Sequence, residues 1–148
     1  MTKKILIPFD GSEHSRKAIE FAAGAAKQDN AELYLIHIVE DKQIPPEILA
    51  YIESEKINGG IGKVSAKLIS EGIMKTAQKQ VQDKGLKITK SMVFRGDPAE
   101  EIIQFAKNNE IDMIVIGSRG LGRIKGLLLG SVSTKVCHLA ECTCVTVK

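Results

Sequence analysis

Met113-Ile-Val-Ile-Gly117-Ser-Arg-Gly120-Leu-Gly122-Arg-Ile-Lys-Gly126-Leu-Leu-Leu-Gly130-Ser131 runs from an apolar strand through a glycine-rich loop to the start of a helix. Four consecutive apolar residues ahead of Gly117 read as a short strand buried on both faces. Val132, Val136 and Leu139 follow at i, i+4 and i+7, the spacing of one helix face, with Ser131 as the expected N-cap. The glycines allow sharp turns and a close approach to a ligand. A helix N-terminus then presents free N–H groups and a positive dipole end, which attract phosphate.

The same alternation extends in both directions. Upstream, Ile5–Phe9 is an apolar run ending in the turn cluster Asp10-Gly11-Ser12. Ala18, Ala22, Ala25 and Ala26 then share a helix face, with Ser12 as cap and Asp29-Asn30 at the end. Leu33–Val39 is a second strand, apolar apart from His37. Pro45-Pro46 and Asn58-Gly-Gly-Ile-Gly62 bound a less regular stretch, read as a short helix near 46–56, a loop, and a long helix near 63–84 closed by Gly85. Leu86–Phe94 alternates, placing Leu86, Ile88, Met92 and Phe94 on one face of a half-exposed strand. Asp97-Pro98 starts another helix, as cap and first residue. Cys144–Val147 is a last short strand.

Strands separated by helices must be mostly parallel, because a parallel crossover needs a dozen or more residues. The expected fold is a doubly wound α/β sheet of five parallel strands flanked by helices. Strands one, two and four, the most apolar, belong at its centre; three and five belong at its edges. The 148 residues suit one domain spanning 1–148. The start lacks the long apolar centre of a signal peptide, and no run approaches the ~20 residues of a membrane-spanning helix. A cytoplasmic setting without membrane attachment is therefore expected. A formal charge of +3 is too small for a broadly nucleic-acid-coating protein, and 4% aromatics with no Trp supply few stacking surfaces. Four cations, Arg119, Arg123, Lys125 and Lys135, lie between Met113 and Ala140 without any Asp or Glu. The excess charge is thus local to the loop and its helix, where a small polyphosphate would sit.

Ligands of open α/β sheets bind beyond the carboxyl ends of the strands, where strand order reverses. Asp10-Gly11-Ser12 and the 117–131 loop converge there if strands one and four are neighbours. The Walker pattern fails, since no Lys precedes Ser131, and the dinucleotide fingerprint G-x-G-x-x-G is absent. The spacing Gly117-x2-Gly120-x9-Gly130-Ser131 instead resembles the universal stress protein family in its ATP-binding branch. Lys3–Ser12, Leu35-Ile-His-Ile-Val39 and Gly96-Asp-Pro-Ala-Glu-Glu-Ile102 are similar to that family too, so the resemblance spans the chain.

The resemblance implies a strand order of 3-2-1-4-5, the adenine nucleotide alpha hydrolase-like arrangement. It implies an adenine nucleotide, ATP foremost, accompanied by Mg²⁺ or Mn²⁺. Pro8 and Asp10 match the end of strand one, where the carboxylate holds ribose hydroxyls. Ile38 matches the backbone position against adenine, and Gly117 the floor under base and ribose. Gly120, Gly130, Ser131 and Val132 match the phosphate cradle, with Ser133 as a further hydroxyl donor and Arg119 within reach of phosphate. A homodimer through the C-terminal edge strand is also implied, although Cys142-Thr-Cys-Val-Thr-Val147 departs from the family's usual Cys-Pro-Val there. The function expected is a stress-response switch or sensor. A slow ATPase or nucleotide-dependent transferase is the alternative, and a nucleotide-free interaction protein a third reading.

The remaining chemistry-bearing residues have plainer readings. His37 reads as a buried strand residue with a satisfied ring, and no nucleophile beside it marks it as a general base. His14 reads as solvent-facing in the first helical turn. His138, Cys142 and Cys144 offer three metal ligands without a fourth and match no common zinc spacing. No catalytic residue is assigned.

Overall fold

Alternation of side chains along the central strands builds two cores, one on each face of a single sheet. The computed structural model describes residues 2–40, 61–119 and 130–148, without the side chains of 61–66. The helix expected near 46–56 lies outside the described residues, as do Gly120 and the rest of the loop to 129. The elements are β1 (Lys4–Pro8), α1 (Glu13–Asp29), β2 (Glu32–Val39), α2 (Ile61–Asp83), β3 (Ile88–Arg95), α3 (Pro98–Asn108), β4 (Met113–Gly117), α4 (Ser131–Leu139) and β5 (Thr143–Val147). All strand pairs are parallel, in the order β3-β2-β1-β4-β5. The expected centre and edges of the sheet are therefore observed.

Ile5, Ile7, Leu33, Leu35 and Val115 point to one face. There they meet Ala18, Ile19, Ala22 and Ala26 of α1 and Met74, Ala77 and Val81 of α2. Leu6, Tyr34, Ile36, Ile114 and Ile116 point to the other, against Ile102, Phe105 and Ala106 of α3 and Val136 of α4. Burial on both faces is why the central strands carry unbroken apolar runs. The small residues of α1 let its axis approach the sheet closely.

β3 corrects the reading of its faces. Ile88 pairs with Leu33 but Lys90 pairs with Tyr34, so Thr89 is an extra residue, a β-bulge. Leu86 and Ile88 consequently pack on the α1–α2 side, whereas Phe94 packs on the α3 side, its ring 5.8 Å from that of Phe105. A period-2 pattern cannot reveal such a shift, because one inserted residue reverses every side chain after it.

Helix ends follow local chemistry. The Ser12 side chain accepts from Ser15 N–H at 3.2 Å, and Asp97 Oδ1 accepts from Glu100 N–H at 3.0 Å. Asn30 ends α1 in the left-handed conformation, and Gly85, with φ of 74°, turns the chain after α2.

Candidate functional site

Beyond the carboxyl ends of β1, β2 and β4 lies a cavity of about 220 Å³. It sits where strand order reverses between β1 and β4. Its wall includes Pro8 and Asp10 after β1, Ile38 from β2, Gly117 and Arg119 after β4, and Gly130, Ser131, Val132 and Ser133 at the start of α4. Every site residue selected from sequence is thus brought together, except Gly120, which lies outside the described residues.

The first turn beyond β1 is held by its own side chains. Asp10 Oδ1 accepts from Ser12 N–H at 2.9 Å, leaving Gly11 at a φ of 84°. Ser12 then caps α1, and its hydroxyl lies 3.5 Å from the Arg119 carbonyl. On the opposite side, α4 begins differently from the expected form. Its N-cap is Gly130, extended at φ −73° and ψ 167°, with no side chain to accept from the first turn; Ser131 is the first helical residue and is exposed. Ser131 does not cap because the backbone already turns helical there, so its side chain has left the capping position. Gly130 is anchored instead through its backbone. Its N–H donates to the Ser118 carbonyl at 2.5 Å, and its carbonyl accepts from Thr134 N–H at 3.0 Å and Thr134 Oγ1 at 2.8 Å. The dipole end of α4 thereby faces the cavity without a side-chain cap.

Ser118, fully buried, joins these parts. Its N–H donates to Val147 at the end of β5 (2.7 Å), its carbonyl accepts from Gly130 and from Ser133 Oγ (2.8 Å), and its hydroxyl meets His14 Nδ1 at 2.8 Å. Two expectations change as a result. His14 is only partly exposed and its ring is held by Ser118, because α1 begins directly against the end of β4. Ser133 lines the cavity, and its hydroxyl already has two acceptors within the protein, the Ser118 carbonyl at 2.8 Å and the Gly130 carbonyl at 3.1 Å.

Gly117 changes meaning as well. A Cβ there would lie 2.8 Å from His14 C and from Ser15 N. The missing side chain is therefore required by the approach of α1, whatever the cavity holds. At Gly130 an added Cβ would meet its nearest neighbour, the Ser118 carbonyl, at 3.4 Å, and the φ is ordinary. Packing does not demand glycine at that position.

Charge at the site also differs from the linear count. Lys135 turns toward α3, 3.8 Å from Asp97 and 3.9 Å from Glu100. Those acids stand far away in sequence, which is why a local count missed them. Arg123 and Lys125 lie outside the described residues.

Sequence reasoning placed Ser12 in the converging turn but missed Ser15, His37 and Glu40 as wall residues. His37 is buried as expected, and its Nδ1 lies 2.8 Å from the Phe9 carbonyl. A carbonyl only accepts, so Nδ1 is the donor of this bond. Its place at the carboxyl end of β2 was the available signal, since that end of a parallel sheet faces the ligand. Ser15 follows Ser12 by one helical turn, which carried the same information. Among the described residues, no three His, Cys, Asp or Glu side chains gather as a metal would need, and no helix is long and apolar enough to cross a membrane.

Comparison with known proteins agrees with this architecture. A family model described as the universal stress protein family matches residues 1–148. Universal stress protein YxiE of Bacillus subtilis is 32% identical, with all of both chains covered. Universal stress protein MJ0531 of Methanocaldococcus jannaschii is 36% identical over 99% of this chain and 82% of its own. The solved structure of MJ0577 superposes with a TM-score of 0.81 at 28% identity, covering 100% of this chain and 96% of that one. More distant structures share the fold: a universal stress protein in complex with cAMP (22% identity, TM-score 0.67, 99% and 96% covered) and one from Archaeoglobus fulgidus in complex with dAMP (17%, 0.68, 100% and 98%). With the sheet order, the full-length match and relatives above 30% identity in agreement, the chain belongs to the universal stress protein family.

Proposed function

We propose that this chain is a cytoplasmic stress-response protein that binds an adenine nucleotide, ATP foremost, and changes its interactions with nucleotide state. The observation that carries the proposal is the uncapped start of α4. Its N-cap is a glycine that packing does not require, and it opens on the cavity at the sheet's switch point. Such a terminus suits an anion, since first-turn N–H groups and the helix dipole both favour negative charge. The adenine nucleotides bound in two structures of the same fold support the ligand class.

In this reading the base and ribose lie near Ile38 and Asp10, with the phosphates over Gly130, Ser131 and Val132 and within reach of Arg119; Gly120 is kept in the cradle on the family resemblance alone. A volume of about 220 Å³ is smaller than the ~300–1,000 Å³ of pockets that enclose a drug-sized ligand. The nucleoside would fill the closed part and the phosphates would extend outward. The described residues do not form a protein-built metal site, so Mg²⁺ or Mn²⁺ is proposed only as a companion held by phosphate oxygens. A homodimer through the exposed edge of β5 belongs to the same proposal.

The decisive experiment is to denature the purified protein and chromatograph the small molecules released, with ATP titration by calorimetry alongside. Recovered adenine nucleotide, or saturable ATP binding, is the expected result. Neither being found would overturn the proposal. Steady ADP release that disappears in a Gly130 variant would assign the chain to the slow-ATPase alternative instead.

A further inference from the structure

Cys137 in the last turn of α4 and Cys144 in β5 bring their sulfurs to 2.7 Å, both as free thiols. This is closer than two unbonded sulfurs normally stand, and only a short movement separates it from the ~2.05 Å of a disulfide. Both residues are held in place by other contacts. Val136, fully buried, fixes the last turns of α4 against the sheet, and Cys144 is paired with Ile114 in the β4 ladder. Both cysteines are half-buried, so a small oxidant can reach the pair while bulky reagents are hindered. The third cysteine, Cys142, is two residues from Cys144 in the sequence and has no sulfur contact of this kind among the described residues.

We propose that Cys137 and Cys144 form a reversible oxidation site that takes a hydroperoxide and closes to an intramolecular disulfide. The inference does not depend on nucleotide binding. The Cys137 thiolate attacks the outer peroxide oxygen; the O–O bond breaks, hydroxide leaves and is protonated to water, and Cys137 becomes a sulfenic acid. The Cys144 sulfur then attacks the Cys137 sulfur. The S–O bond breaks, and the departing hydroxide takes the Cys144 proton to leave as a second water. The two thiols lose two electrons and two protons, and one hydrogen peroxide is reduced to two waters. Cys144 is the second to react because burial and its bond with Cys137 push its thiol well above the ordinary range, which keeps it protonated. The product would fasten the last turn of α4 to the edge strand.

The test treats the purified full chain with a graded series of hydrogen peroxide, then counts remaining thiols with a maleimide in denaturant. The expected result is loss of two of the three thiols at doses that spare the third, with dithiothreitol restoring both. Trypsin followed by cleavage after Glu141 separates Cys137 from the other two cysteines. Mass spectrometry should find the resulting peptides disulfide-linked within one chain, in wild type and in Cys142→Ser alike. Cys137→Ser should keep both remaining thiols at that dose. Parallel loss of all three thiols, a link made by Cys142 or to a second chain, or no link at all would each overturn the proposal. Fragmentation of the wild-type linked peptide between Cys142 and Cys144, with a non-reducing gel to reveal links between chains, decides this even if a variant fails to fold.

Discussion

Two glycines in the cavity wall carry opposite meanings, and single substitutions separate them. Gly117 is demanded by packing: its Cβ would press on the backbone of His14 and Ser15 at 2.8 Å. Gly117→Ala should destabilise the fold by about 1–3 kcal/mol, the ordinary range for overpacking, read as a lower urea midpoint. Gly130 is free of that constraint. Gly130→Asp places a capping carboxylate at the start of α4, so stability should hold or rise by a few tenths of a kcal/mol. The same carboxylate would occupy and repel the proposed phosphate position, so ATP affinity should fall at least about tenfold, or ~1.4 kcal/mol. A Gly130→Asp protein that binds ATP as well as wild type would remove the cradle from the proposal. In sequence the two glycines look alike. Only the course of α1 past the end of β4 distinguishes them.

At the scale of elements, α1 and α2 cover the same face of the sheet and are tied to one another by side chains. Glu20 pairs with Lys84 and accepts from Gln80 Nε2 at 3.0 Å. These partners hold the Glu20 carboxyl below its usual range, the Lys84 bond being the largest cause. A carboxyl depressed in the folded state stabilises the fold above its unfolded pKa, and that contribution is lost as acid protonates it. Because the tie is about half exposed, Glu20→Gln should cost under about 1 kcal/mol at neutral pH. The difference from wild type should vanish as pH falls below the ordinary carboxylate range, read by thermal unfolding at each pH. Helix starts at Ser12 and Asp97 were legible because capping is local, involving residues three apart. The bulge at Thr89 was not, since register belongs to the pairing of β2 with β3 and not to either strand alone. The cap of α4 was displaced by one residue, from Ser131 to Gly130, because the Ser118 carbonyl at the end of β4 sets where the helix begins.

For the molecule as a whole, the proposed ligand bridges the carboxyl ends of β1, β2 and β4 and the start of α4. A ligand that binds only the folded form stabilises it by mass action, about 2.7 kcal/mol at a hundredfold excess over Kd. ATP should therefore raise the unfolding midpoint of wild type and raise that of Gly130→Asp less, stabilising the variant by about 1.4 kcal/mol or under at the same ATP concentration. Sedimentation should give about twice the 16.1 kDa chain mass if β5 pairs across a dimer axis, since an uncovered edge strand invites a partner. The sequence by itself determined the order of elements, the parallel sheet, and its centre and edges. Those properties follow from periodicity, capping and crossover length, which act over a few residues. The tertiary structure alone decided that His14 and Ser118 meet, that Lys135 faces Asp97 and Glu100, that Cys137 touches Cys144, and that Gly117 serves packing while Gly130 leaves a helix end open. Each of these depends on distances between groups brought together by the sheet, and no local pattern of residues encodes such a distance.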